Sequence, residues 1–462
     1  MKVAVIGAYG SAGVAVAEGL LDNDDVELIL FDDGEPGGGL CILRGCMPSK
    51  EVLSAAAHRY QARADERLTG APHGIDLDAV VDTKDDHVLG FAEHRRDAVH
   101  EMAERDDVEF VRETARVVDD TTVRTGEREY DADRIVVATG SSPKVPDLPG
   151  IDGIDYTTSD DVLDARSFGD TGVVIGFGTT GMEMVPYLAE AGVDLTVIEH
   201  DDAPLDYADD SFGRELLELY RDEFGVEIRT NVYEESVEKK EDGGVRLHLD
   251  DGTSVEADEL FVFTGRVPNV DGLGLENAGV EPRGDWVDDT LRARGNPRVY
   301  AVGDANGHEP ILHVAKEEGY HTAENIVAET EGRTPRRYDF VKHRVTFTGA
   351  GVYPFARLGM TEKDALERGV DYVVAERDAA SDGVFKTKDV PHGRAKLVVD
   401  ANDGTVLGWQ ALHYHADVMA KTMQVVVELG LDVRDLPDRA YHPTTPEILD
   451  GLFRETAKKL QD

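Results

Sequence analysis

The only two cysteines of this 462-residue chain lie five positions apart, in Gly38-Gly39-Leu40-Cys41-Ile42-Leu43-Arg44-Gly45-Cys46-Met47-Pro48-Ser49-Lys50. A chain that spends both thiols on one such pair is not stapled by disulfides, and the spacing points to reversible thiol–disulfide chemistry. Within one regular helix, residues i and i+5 stand about 7.5 Å apart along the axis and on different faces, too far to bridge. The pair can close if Cys41 lies in a loop and Cys46 opens a helix, whose positive end would favour a thiolate at Cys46. Two other uses of the pair are a metal site and inert packing. Two cysteines are half of a structural zinc site, and no histidine stands at ligand spacing nearby, so no metal is expected.

Near the C-terminus the chain reads His442-Pro443-Thr444-Thr445-Pro446-Glu447. Thiol–disulfide exchange needs a proton donor for the leaving thiolate, the usual work of histidine, and a carboxylate at Glu447 could hold the imidazole in one tautomer. By itself the motif could equally be a surface histidine ahead of a proline turn.

These side chains need elements to position them. Val3 to Ile6 reads as a short apolar strand, followed by Gly7, Gly10 and Gly13, a small-residue helix, and a second strand at Leu28 to Phe31 ending on Asp32-Asp33. This is a βαβ dinucleotide fingerprint with Gly-x-x-Gly-x-x-Gly spacing, one residue longer at the turn than usual. The unit recurs at Val173 to Ile175, with Gly176, Gly178 and Gly181 in regular spacing and a following strand that ends at Glu199. Two dinucleotide sites flanking a cysteine pair suggest a flavin meeting a nicotinamide, each pyrophosphate held at a helix N-terminus. Apolar strands ending at Ala138-Thr139-Gly140-Ser141 and at Thr264-Gly265-Arg266 fit two crossings between a flavin domain and an inserted nicotinamide domain. A further strand closes on Gly303-Asp304, where Asp304 is either a helix cap or a ligand to a ribitol hydroxyl.

The formal net charge is −46, from 48 basic and 94 acidic residues. That excludes ordinary nucleic-acid binding through a basic patch. The acids recur along the whole chain among apolar segments, which fits a salt-adapted surface better than a disordered chain. At molar salt the Debye length is about 3 Å, so self-repulsion is largely screened, and folding and activity are expected to need such salt. No run reaches the length of a membrane span, the first residues form a strand rather than a signal peptide, and the expected location is cytoplasmic.

Taken in order, these motifs resemble the class I pyridine nucleotide–disulfide oxidoreductases, a group that includes dihydrolipoamide dehydrogenase, glutathione reductase and mercuric reductase. The resemblance covers nearly the whole chain and is most specific at Cys-x4-Cys-x-Pro-Ser-Lys (41–50), Ala-Thr-Gly-Ser (138–141), Gly-Asp (303–304) and His-Pro-Thr-x-x-Glu (442–447). It implies an α/β fold with two Rossmann-like domains, for FAD and NAD(P), and a C-terminal α+β dimerisation domain. The expected boundaries are 1–148 and 266–338 for the FAD domain, 149–265 for the NAD(P) domain and 339–462 for the interface domain. The protein would be a homodimer with its active site shared between subunits. Cys46 would lie against the flavin, Cys41 would be the interchange thiol, and Lys50 would sit near the flavin paired with Glu183. His442 would be the acid/base, oriented by Glu447. Gly7, Gly10, Gly13, Asp32 or Asp33, Thr139, Gly140, Gly303 and Asp304 would serve FAD. Gly176, Gly178, Gly181, Glu199 and Gly265 would serve the nicotinamide.

The substrate implied is a small disulfide. Mercuric reductase and the large thioredoxin reductases need further redox residues in the tail, which has none. Glutathione reductases place one arginine on the helix after the first fingerprint, which here reads Val14-Ala15-Val16-Ala17-Glu18, and another where this chain has Tyr320-His321, and the loop Ile42-Leu43-Arg44-Gly45 departs from that of lipoamide enzymes, leaving Arg44 as a possible anion contact or a solvated side chain. With the salt-adapted composition, this favours reduction of bis-γ-glutamylcystine to two γ-glutamylcysteines. The alternatives are dihydrolipoamide dehydrogenase and a flavoprotein acting mainly as a scaffold. Glu199 favours NADH, whereas a small-thiol role favours NADPH, so NADPH is expected with NADH accepted.

Overall fold

The computed structural model describes residues 1–241 and 243–461, and it separates into two units. The first comprises Met1–Lys50, Val81–Lys144 and Arg266–Phe340. Its centre is a six-stranded sheet in the order Arg292–Ala293, Asn296–Ala301, Arg134–Val137, Lys2–Ile6, Glu27–Phe31 and Val108–Val111. All neighbours run parallel except the first pair. The central strands Lys2–Ile6 and Glu27–Phe31 are buried beyond their first residue, as a sheet covered on both faces requires. Burial of side chains such as Val5, Leu30 and Phe31 stabilises the sheet by about 2 kcal/mol each.

Helix Ser11–Leu20 crosses between the first two strands and lies against helix Leu312–Thr330. Small residues allow the close approach. A Cβ on Gly319 would stand 2.6 Å from the Ala12 carbonyl oxygen. In the same unit Ser141–Pro143 pairs antiparallel with Arg266–Pro268.

The second unit comprises Glu51–Val80, Val145–Gly265 and Val341–Asp462. It contains a parallel sheet in the order Glu227–Arg229, Asp194–Ile198, Thr171–Ile175, Glu259–Val262 and Tyr156–Thr158. A five-stranded antiparallel sheet is built from His343–Thr346, Phe355–Gly359, Val406–His413, Gly393–Asp400 and Tyr372–Asp378, in that order. Helices Ala416–Glu428 and Glu447–Lys459 accompany it.

Cys46 is the first residue of helix Cys46–Ala64, as expected. Cys41 is not in a loop but inside a four-residue helical turn, Leu40–Leu43. Gly45 breaks the two helices apart and brings them close, since a Cβ there would stand 3.0 Å from the Cys41 Cα. Farther along the same helix, Arg59 and Arg63 both pair with the buried carboxylate of Glu190. Tyr60 belongs to the core: it is buried, donates to Glu223 at 3.0 Å and stacks on Phe224.

Candidate active site

The first dinucleotide turn is built around Gly7, at φ +99°, where a Cβ would lie 2.3 Å from the Ala138 carbonyl oxygen. Only glycine fits that conformation and that approach. Gly10 caps helix Ser11–Leu20 with no side-chain hydrogen bond, so the first-turn N–H groups are left to a ligand. Asp32 follows the second strand. One of its carboxylate oxygens accepts from the Tyr9 N–H at 2.9 Å and the other from the Gly34 N–H at 2.8 Å. Burial pushes its carboxyl above the usual range, against those hydrogen bonds. Asp32 therefore braces the loop, while the exposed Asp33 accepts from the Thr114 hydroxyl at 2.7 Å. The cradle fits a dinucleotide pyrophosphate, with Gly7, Gly10 and Gly13 beneath it.

Asp304 sits in the turn Gly303–Asn306 after strand Asn296–Ala301. It accepts from the Ser141 hydroxyl at 2.6 Å, and Arg266 Nε donates to the same hydroxyl at 2.9 Å. The two crossing strands thus orient the proposed ribityl ligand. Thr139 is spent on the crossing, its hydroxyl donating to the Asn269 carbonyl at 2.6 Å. Gly140 has no neighbouring atom within 4 Å of where its Cβ would be.

Beneath this turn lies Glu318, which the sequence pattern gave no reason to select. One of its oxygens accepts from the Gly303 N–H at 2.7 Å and from the Asn306 amide at 2.8 Å. Burial pushes its carboxyl up to about 7. A folded-state value raised above the unfolded one contributes stability that is full below pH ~4.5 and lost as pH rises through ~7, about 3 kcal/mol in all. Glu318→Gln keeps the acceptor and removes the titration. The wild-type protein is therefore expected to lose stability relative to this variant between pH 5 and pH 8, measured by thermal unfolding in molar KCl. An equal difference at both pH values would contradict this role.

The thiols of Cys41 and Cys46 are unbridged and in hydrogen-bond contact. That contact is the largest cause raising the Cys41 thiol, followed by burial, while the charge of Arg95 favours the Cys41 thiolate. Lys50, one turn on, donates to the Ser49 hydroxyl at 3.2 Å. Arg44 is exposed between the cysteines.

In the second unit, Gly176 at φ +95° would place a Cβ 2.7 Å from the Phe263 carbonyl oxygen, and Gly178 caps helix Thr179–Glu190 with nothing within 4 Å of its Cβ position. That open space suits the close approach of a pyrophosphate. Gly181 and Gly265 complete the turn region, Gly265 at φ +94°. Glu199 is half-buried at the end of strand Asp194–Ile198, accepts from the Asp201 N–H at 3.0 Å, and is raised by burial. The adjacent His200 is held by Glu234 at 2.7 Å and stacks on Tyr233. Glu183, in the first turns of the helix, accepts from the Phe347 N–H at 3.0 Å.

His442 is 79% exposed, and its Nδ1 faces the Glu447 carboxylate at 3.0 and 3.2 Å. Glu447 also accepts from the Thr444 N–H at 3.0 Å. These two contacts, the backbone one first, hold its carboxyl below the usual range. The ring is fixed through Nδ1, and Nε2 is the nitrogen presented outward. Next to it Tyr441 is 91% exposed, and Val418, Val425 and Leu429 lie exposed along helix Ala416–Glu428 and its end. Such an apolar surface is what a partner subunit covers.

Residues 1–323 match the pyridine nucleotide-disulphide oxidoreductase family, and residues 344–452 match its dimerisation domain. The chain belongs to the class I pyridine nucleotide-disulphide oxidoreductases, enzymes that act on sulfur groups and bind FAD and NAD(P)H. A dihydrolipoyl dehydrogenase of Haloferax volcanii is 30% identical, over 97% of this chain and 94% of that one. A mercuric reductase of Bacillus cereus is 29% identical, over 94% of this chain and 67% of that one. In architecture the chain is similar to the HOCl-induced flavoprotein disulfide reductase RclA of Escherichia coli, with a TM-score of 0.83 and 22% identity, covering 98% of this chain and 99% of that one. Among the described residues, no helix is long and apolar enough to cross a membrane and no group of three or more His, Cys, Asp or Glu is placed to hold a metal.

Proposed function

We propose that the protein is a cytoplasmic NAD(P)H-dependent reductase of bis-γ-glutamylcystine, acting through FAD and a Cys41–Cys46 disulfide. The family supplies the reaction class, and the substrate is read from this chain. The observation that carries it is the Tyr320 hydroxyl donating to Glu18 at 2.5 Å. Glutathione reductases place arginines on these two helices for the substrate's carboxylates. A carboxylate and a phenol there disfavour the glycine end of glutathione, which γ-glutamylcysteine lacks.

Bound FAD would take an electron pair from NAD(P)H and pass it to the disulfide, leaving two thiols. His442, from a second copy, removes the proton from Cys41. The Cys41 thiolate attacks one sulfur of the substrate; a Cys41–substrate bond forms, the substrate disulfide breaks, and His442 returns the proton to the leaving thiolate. Cys46 then attacks Cys41, restores the protein disulfide and releases the second thiol. Lys50 and Glu183 are proposed to pair beside the flavin, and the four-part division at 148, 265 and 338 is retained for the dimer. The test is turnover in molar KCl against bis-γ-glutamylcystine, oxidised glutathione and lipoamide. Preference for the first by kcat/KM is expected; lipoamide as the only substrate would replace this reading with the dihydrolipoamide dehydrogenase one, which the Haloferax relative favours.

Within NAD(P)H, the geometry supports NADH. A 2′-phosphate would meet the carboxylates of Glu199, Asp201 and Asp202, and the adjacent His200 is already held by Glu234 at 2.7 Å. Glu199→Ser is expected to raise the NADPH-to-NADH ratio of kcat/KM about tenfold. An unchanged ratio would show that Glu199 does not read the ribose.

A further inference from the structure

The first unit holds a cavity of about 230 Å³ beside the cysteine turn. Its wall draws on four separate elements: Ser11 and Glu18 of helix Ser11–Leu20, Ile42 next to Cys41, Phe91 and Arg95 of helix Leu77–Met102, and Lys316 of helix Leu312–Thr330. Arg95 Nη1 donates to the Tyr9 carbonyl at 3.3 Å and lies 3.5 Å from the Ser11 hydroxyl. The Cys41 thiol is raised by its contact with Cys46 and by burial, and the Tyr320 phenol by its hydrogen bond to Glu18; the Arg95 charge opposes both as a lesser effect. The cavity, the interchange thiol and the Glu18–Tyr320 pair are therefore one neighbourhood.

The charge of this wall runs against the rest of the chain. With 94 acidic and 48 basic residues overall, chance would line a cavity with carboxylates. Here Arg95, Lys316 and, when protonated, His94 face a single carboxylate, Glu18. A guanidinium and an ammonium around one space suit a carboxylate, which the planar guanidinium can bind through two parallel hydrogen bonds. Glu18 suits an ammonium group. The volume is below the ~300 Å³ at which ordinary ligand pockets begin, so it takes one arm of a substrate rather than the whole.

We infer that this cavity is a substrate subsite, in which Arg95 and Lys316 hold a carboxylate of the disulfide and Glu18 holds its ammonium group. The ligand class is a zwitterionic, carboxylated low-molecular-weight disulfide, and its particular identity rests on the function proposed above. One arm lies among Ser11, Phe91 and Ile42, and its sulfur is delivered to Cys41. Arg95 has two tasks at this site, since the charge that binds the carboxylate also favours the attacking thiolate. Neutral disulfides gain nothing from the cation pair.

The test uses the FAD-bound Cys46→Ser protein, in which Cys41 is the only cysteine. Its alkylation by iodoacetate, an anion, is compared with alkylation by neutral iodoacetamide. Both reagents attack the same thiolate, so their rate ratio cancels any change in Cys41 ionisation. In molar KCl only contact-range charges act. Arg95→Gln and Lys316→Gln are each expected to lower the iodoacetate-to-iodoacetamide ratio about fivefold, and Glu18→Gln to raise it. Lys316→Gln decides if Arg95→Gln releases FAD. An unchanged ratio in the FAD-bound variants overturns the subsite, whichever disulfides the enzyme reduces. A lowered ratio in a protein that ignores bis-γ-glutamylcystine supports the subsite and removes the proposed substrate.

Discussion

Cys41→Ser is expected to lower disulfide turnover by about 10³-fold or more while leaving FAD bound, because the attacking nucleophile is lost and nothing in its place can form the mixed disulfide. The two thiols touch, yet they are not interchangeable. Cys46 heads its helix and is exposed, whereas contact with Cys46 and burial raise the Cys41 thiol. Cys41 also stands beside Ile42 and within reach of the Arg95 charge, on the cavity side. Stopped-flow mixing with NADH should show the flavin of this variant still bleaching at the wild-type rate. Steady-state activity within tenfold of wild type would assign the attack to another group.

His442→Ala is expected to slow disulfide turnover by about 10²- to 10³-fold, the usual worth of a positioned proton donor, with flavin reduction by NADH unchanged. The ring is oriented by Glu447 and the Thr444 N–H but stands almost fully in solvent within its own chain. An acid/base in that setting needs a second surface to exclude water, and the unit that carries it also exposes Tyr441, Val418, Val425 and Leu429. If the site is shared, mixing subunits of Cys41→Ser and His442→Ala should restore activity, because each mixed dimer assembles one intact pair. Absence of recovery in verified mixed dimers would contradict a site shared between subunits.

The sequence made the strand–turn–helix cradles legible because their geometry demands glycine, as Gly7 and Gly176 show through φ values and carbonyl approaches that no side chain tolerates. The cysteine pair and the His442–Glu447 pair were legible for a similar reason: each is local, with both partners inside one short segment. What stayed hidden is non-local. Arg95 and Lys316 come from helices more than 200 positions apart, and each reads in isolation as one more charge on a solvated helix face. Glu318 resembles any acid on helix Leu312–Thr330 until the fold buries it under Gly303. Cys41 was expected in a loop because its four-residue turn is too short to announce itself by periodicity. Asp32 and Asp33 looked equivalent in sequence, and only the fold turns Asp32 back onto the Tyr9 N–H.

In the proposed reaction every electron pair reaches the substrate through the Cys41–Cys46 pair. The direct measurement is a thiol count on the denatured, FAD-bound protein before and after anaerobic reduction by NADH, in molar KCl. Oxidised protein should yield no reactive thiol and NADH-reduced protein should yield two, matching the two cysteines of the chain. A flavin that is reduced while the thiol count stays the same would contradict the relay and, with it, the assignment of Cys41 as the group that meets the substrate.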